Sequence, residues 1–146
     1  MRTQGFPEIM TVGRMLFVMS RALKKRIIEH SDIKITPEQV GLLLALSQQS
    51  EEVIQNDMAE VMGKDKSAIL RFVDSLEEKE LVRRVVDQNN RRKNYLTITK
   101  KGERILESCL KTVHDFMEEL EQGLTRSEID TFYKVVAHFK NNAEKL

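Results

Sequence analysis

Arg83, Arg84, Arg91, Arg92, Lys93, Lys100, Lys101 and Arg104 fall within residues 82–104, where Asp87 and Glu103 are the only acids. The chemistry such a cluster can do is phosphate binding: cations displace the counterions condensed on a polyanion, and their release drives association. Arginine adds recognition, because its planar fork holds two acceptors at once or slips into a narrow, electronegative minor groove. Residues 105–146 lean the other way, with eight acids against five cations. A net charge of only +1 thus conceals a basic middle and an acidic end that would keep the back of the molecule off a polyanion.

Other chemistries find little support. Cys109 is the single cysteine, which excludes an intrachain disulfide framework and a multi-cysteine zinc site. His30, His114 and His138 show no HExxH or His/Cys spacing. There is no phosphate loop and no nucleophile with a base at readable spacing, so neither an enzyme nor a bound cofactor or metal is expected. The longest apolar run, Val40 to Leu46, is too short to span a bilayer, and Met1 to Met10 lacks the apolar core of a secretion signal. A cytoplasmic protein without a membrane partner is expected. With 146 residues, 40% of them hydrophobic, and no Pro/Gly/Ser-rich linker, the chain should form one domain over 1–146.

The elements that position the cations are well punctuated. Ile9, Val12, Leu16, Met19, Leu23 and Ile27 recur at three- and four-residue intervals, which predicts a first helix over about Glu8 to Glu29. Thr36-Pro37-Glu38-Gln39 is a capping box with proline at the first helical position, and Ile35 and Val40 are placed to staple it, so a helix runs from Pro37 to about Gln48. After the break at Ser50-Glu51-Glu52 a short helix covers Gln55 to Met62 and stops at Gly63. Asp65 caps the next, whose inner positions are Ile69, Phe72, Val73 and Leu76 and whose outer side keeps Lys64, Lys66, Ser67 and Arg71.

Leu81 to Val86 and Tyr95 to Thr99 read as strands joined through Asp87 to Asn94, where Asn89 and Asn90 tolerate left-handed turn conformations. Thr99 caps a long helix over about Lys100 to Gln122, and the capping box Thr125-Arg126-Ser127-Glu128 opens a last one ending near Ala143. The expected fold is mainly α with a small antiparallel β-hairpin wing: a winged helix-turn-helix over 36–104, which presents one helix end and one basic loop on the same side. In this plan Lys64, Lys66, Ser67 and Arg71 reach the major groove of double-stranded DNA. Arg84, Asn89, Arg91, Arg92 and Lys93 form the wing contacts, with Lys64, Lys66, Lys93 and Arg84 positioning the backbone.

Residues 1–30 and 105–146 exceed what such a module requires, and their apolar faces are wide. Side chains worth roughly 1.5–3 kcal/mol each on burial are seldom left in water as a broad patch. A homodimer through the terminal helices would cover Ile9, Val12, Val113, Phe116, Leu120, Phe132, Val136 and Phe139; packing on their own chain is the alternative. Two-fold symmetry would set two recognition helices ~34 Å apart on a palindromic operator. A protein-interaction module that grips an acidic partner with its basic wing is the competing function.

The run from Ile54 to Leu106 resembles the core of the MarR family of bacterial transcriptional regulators. The likeness lies in MAEVMG ending one helix, DKSAILRFVDSLEEKELVRR through the recognition helix into the first wing strand, and DxxNRR followed by LTITxxG. It implies a dimeric regulator, most often a repressor, in which Lys66, Ser67, Ala68 and Arg71 enter the major groove and Arg91 or Arg92 the minor groove. By the same resemblance Asp87 holds the wing arginine, and Gln55 and Asn56 approach the phosphate backbone. A phenolic or other small amphipathic effector would enter between the dimer helices and the winged unit, near Met15, Phe17, Met19 and Leu46. The chain departs from the family pattern at Ile54, which lacks a capping hydroxyl, at Ala68 in place of a frequent threonine, and at Asn90 in place of a common aspartate. Some relatives sense oxidants through a cysteine near the first helix, whereas Cys109 falls on an apolar face of the fifth and is expected to be inert packing.

Overall fold

A computed structural model describes residues 5–49, 53–90 and 94–146, with side chains from Met10 onward. The elements run α1 (Gly5–His30), α2 (Pro37–Ser47), β1 (Val53–Ile54), α3 (Gln55–Val61), α4 (Lys66–Glu78), β2 (Val82–Val86), β3 (Asn94–Ile98), α5 (Lys100–Glu121) and α6 (Arg126–Ala143). The chain is mainly α, as expected, and every anticipated helix is present within a few residues of its expected ends. The sheet is larger than a hairpin. β1 pairs antiparallel with β3, Val53 opposite Leu96 and Ile54 opposite Tyr95, which makes three strands in the order β1-β3-β2. The helical entry at Gln55 thus grows directly out of a strand.

The caps show why the helices start where they do. Thr36 Oγ1 accepts from the Gln39 backbone at 3.3 Å while Gln39 Oε1 accepts from the Thr36 backbone at 3.1 Å, and Gln39 is buried despite its polarity. Thr125 and Glu128 close the same reciprocal box on α6. α3 begins at Ile54 with no side-chain cap, in keeping with the missing hydroxyl.

Two compact units divide the chain, Met1–Val113 and His114–Leu146. The first has a single core in which Ile27, Ile35, Leu42, Leu43, Met58, Val73, Leu76 and Leu81 are almost wholly inaccessible, with Leu106 and Cys109 of α5 completing it. Burial alone pushes the Cys109 thiol above its ordinary pKa, so thiolate, the reactive form, is scarce at neutral pH. A thiol reagent should therefore modify the native protein at least tenfold more slowly than the urea-unfolded chain, and equal rates would contradict this placement. In the second unit the later turns of α5 and all of α6 are joined through Gly123, at φ +86°, and Tyr133 donates to Glu121 Oε1 at 2.7 Å.

The first unit turns one corner at unusual cost. Leu81 N–H bonds to Leu76 O and Glu80 N–H to Glu77 O, both at 2.9 Å, the paired closure that ends α4. That closure needs a left-handed residue, and Glu80 supplies it at φ +61° where glycine is usual. Its carboxylate meets Lys101 Nζ at 2.9 Å, and its carbonyl accepts from Thr99 Oγ1 at 2.7 Å. These bonds hold an otherwise disfavoured conformation in place.

Candidate nucleic-acid interface

The face built around α4 begins at a glycine. Gly63, at φ +58°, ends α3 with Lys64 N–H bonded to Ala59 O at 2.9 Å, and the chain turns within two residues into α4. Asp65 caps it, accepting from Ala68 N–H at 2.7 Å and from Ser67 Oγ at 2.9 Å. Those two hydrogen bonds, the backbone one first, hold the Asp65 carboxyl below the ordinary carboxylate range. The stabilisation from this cap is therefore complete at neutral pH and is lost only as acid drives pH down through the lowered pKa.

α4 buries Ala68, Ile69, Val73 and Leu76, which leaves Lys64, Lys66, Ser67 and Arg71 exposed as the helical spacing required. Ala68 does not join them. Only 7% exposed, it lies on the core side, because its backbone is the one the Asp65 cap receives and positions 68, 72 and 76 continue one inward stripe. Ala68 is therefore a packing residue, and its expected place in the groove is corrected.

Arg84 requires a second correction. From β2 its Nε donates to Gln55 Oε1 at 2.9 Å, Nη1 to Glu77 Oε2 at 2.5 Å, and Nη2 to Asp74 Oδ1, while its backbone N–H reaches Glu77 Oε1 at 3.2 Å. Burial disfavours the charge, but Asp74 and Glu77 more than offset that and raise the guanidinium pKa. With its side chain 20% exposed and each of its three nitrogens bonded internally, Arg84 ties β2, α3 and α4 together instead of gripping phosphate. Gln55 is taken up in the same tie, whereas Asn56 is exposed. The acids were the unread part: Asp74 and Glu77 stand three apart on one helix face, spaced to receive a single fork. Arg84→Ala strands two carboxylates together and is expected to cost about 2 kcal/mol of stability, the scale of hydrogen bonds to charged groups. Urea unfolding with an unchanged midpoint would contradict it.

The wing is set by register and one aspartate. β2 and β3 pair from Val82 opposite Ile98 to Val86 opposite Asn94. Beyond that last pair Asp87 Oδ1 accepts from the backbones of Asn89 at 2.7 Å and Asn90 at 3.3 Å, and Oδ2 accepts from Tyr95 Oη at 3.0 Å. Asp87 therefore shapes the loop through its backbone, and Tyr95 braces it from β3. Arg91, Arg92 and Lys93 lie outside the described residues.

The remaining expected sites are scattered. Phe17 lines a groove on α1 with Val18, Arg21, Ala22 and Lys25, and Met15 is exposed and Met19 half-buried. Leu46 lies within the core at 6% exposure, so these four residues do not share one environment. Of the residues expected between two copies, Val12, Leu120, Phe132, Val136 and Phe139 are exposed on the single chain. Val113 packs on the winged core and Phe116 is buried, while the Ile9 side chain is outside the described set. Among the described residues no group of three or more His, Cys, Asp or Glu could hold a metal ion, and no helix is long and apolar enough to cross a membrane.

Comparison with known proteins bears on the whole arrangement. Residues 35–93 match the sequence model of the MarR family. A mutant MarR from E. coli, solved in complex with operator DNA, is 26% identical, with 92% of this chain and 97% of that one covered at a TM-score of 0.74. CouR, a transcriptional repressor bound to a 23-mer DNA duplex, is 22% identical over 89% of both chains at 0.78. PcaV from Streptomyces coelicolor, solved with its natural ligand, is 21% identical, covering 90% of this chain and 92% of that one at 0.73. The last two likenesses, at their low identity, speak for the fold. Over residues 35–93, which hold the Asp65-capped helix and most of the wing strands, the chain is similar to the MarR family of transcriptional regulators.

Proposed function

We propose that this protein is a sequence-specific, homodimeric regulator of transcription that binds double-stranded DNA in the cytoplasm, acting as a repressor at a palindromic operator. Residues 36–104 would hold the duplex, with 1–30 and 105–146 joining two copies into the dimer. The observation that carries the reading is the placement of Lys66, Ser67 and Arg71 in solvent on one side of a helix whose other side is core, with Lys64 exposed in the turn before it. Such a helix delivers donors to base edges in a major groove. Arg91 and Arg92 would enter the adjoining minor groove, Lys93 and Asn56 would meet phosphate, and Asn89 would stand in the wing loop that Asp87 supports. The E. coli MarR mutant solved with operator DNA supports the same docking.

Exposed Val12, Leu16 and Phe17 on α1, and exposed Phe132, Val136 and Phe139 on α6, support dimerisation, since a second copy would withdraw these apolar faces from water. Release by a small amphipathic or phenolic effector is part of the same reading, with Met15 and Met19 on one face of α1 and Phe17 on the opposite face as residues near such a molecule. The test is selection of genomic fragments by the full-length protein, followed by mobility shift across a salt series and light scattering. The expected result is a dimer, two half-sites about one duplex turn apart, and affinity that falls steeply with salt. A monomer that retains no fragment at low salt would overturn the proposal, and tight capture of an acidic protein in its place would favour an interaction module.

A further inference from the structure

α4 carries an apolar side chain on the wrong side for folding. Leu70 stands off the buried stripe of Ala68, Ile69, Val73 and Leu76 and is 45% exposed. Helical spacing puts it beside Lys66 and Ser67 on one turn and Asp74 on the next, with Arg71 adjacent.

The hydrogen-bonding choices of that face are narrow. Ser67 commits its proton to Asp65, and Asp74 is engaged by Arg84. The long side chains left to reach outward are Lys66 and Arg71, which only donate. Donors find acceptors on guanine, on adenine N7 and on thymine O4 alike, so they separate these bases by geometry alone. Thymine's C5-methyl group is the one major-groove mark that hydrogen bonds cannot reward and an apolar side chain can.

We propose that Leu70 is a specificity-determining residue of the DNA-binding face described above, packing on the C5-methyl group of one thymine in each half-site. The inference rests on the DNA-binding reading and goes beyond it by assigning a base to a residue. The experiment takes a duplex selected by the full-length protein from a randomised pool and replaces each thymidine in turn with deoxyuridine, which keeps every hydrogen bond and removes only the methyl. At one position per half-site this should weaken binding about fourfold, the worth of one buried methyl group. Leu70→Ala should bind the thymine duplex more weakly and lose the distinction, and Leu70→Met should retain it; thermal unfolding confirms that each variant is folded. Selected sites without thymine, neutral uracil substitutions, or a penalty that persists unchanged in Leu70→Ala would overturn the inference while leaving DNA binding intact. Failure to select any duplex would overturn both.

Discussion

Gly102→Ala is expected to destabilise the winged unit by about 3 kcal/mol or more, above the usual range for an overpacked methyl group. A Cβ at this position would stand 2.1 Å from Leu81 O, 2.8 Å from Ile98 Cγ1 and 3.0 Å from Leu81 C. The first contact is with backbone that cannot retreat. Leu81 O accepts from Thr99 N–H at 3.0 Å and Thr99 Oγ1 at 3.2 Å, and Leu81 N–H is held by Leu76 O. Moving that carbonyl would loosen the end of α4, the start of β2 and the start of α5 together. Alanine's advantage over glycine inside a helix, about 1 kcal/mol, is too small to reverse the sign. The midpoint of thermal unfolding should fall by roughly 10 °C. Gly41→Ala serves as the control: inside α2 its new Cβ would meet only Met62 Cε, at 3.6 Å, and the variant should be at least as stable as the parent. Equal midpoints for Gly102→Ala and the parent would contradict the close approach.

Gly102 also shows what could be read from the chain and what could not. The glycine is visible in LTITxxG, but its cause is a carbonyl twenty-one residues earlier in sequence, brought there by strand pairing. Local signals were legible because their physics is local: the boxes at Thr36 and Thr125, the Asp65 cap and the stop at Gly63 each involve groups within a few residues. β1 was not, since two residues cannot display alternation and Val53–Ile54 becomes a strand only through β3. Leu81 and Thr99, read as strand ends, fall just outside β2 and β3 because both are spent on the α4–β2–α5 junction. Arg84 looked like one more member of a basic cluster; charge counting cannot tell a cation with three internal partners from one free to meet phosphate. At Ala68 the position inferred by resemblance gave way to the helical stripe, and at Leu70 that stripe left exposed a residue whose type alone suggested core.

With Arg84 withdrawn into the fold, the proposed wing contact with DNA would fall to Arg91 and Arg92. Arg91→Ala combined with Arg92→Ala is expected to weaken operator binding by about 1–3 kcal/mol, on the scale of a lost specific contact, with little change in folding. Arginine favours a narrow minor groove for its negative potential, so the loss should be greatest on sites whose flanks are A·T-rich. The logarithmic salt slope should also shrink by about one for each phosphate contact removed. Asp87→Ala separates placement from charge. It deletes the acceptor of the Asn89 and Asn90 backbones and of Tyr95 Oη, yet leaves every wing cation in the chain. Binding should weaken by less than in the double arginine variant, with the salt slope nearly kept, because the cations remain and only their presentation is loosened. Mobility shift at fixed salt, repeated across a salt series, measures both quantities. Unchanged affinity in the double variant would remove the wing from the mechanism and leave recognition to α4 alone, in which case Asp87→Ala should be equally without effect.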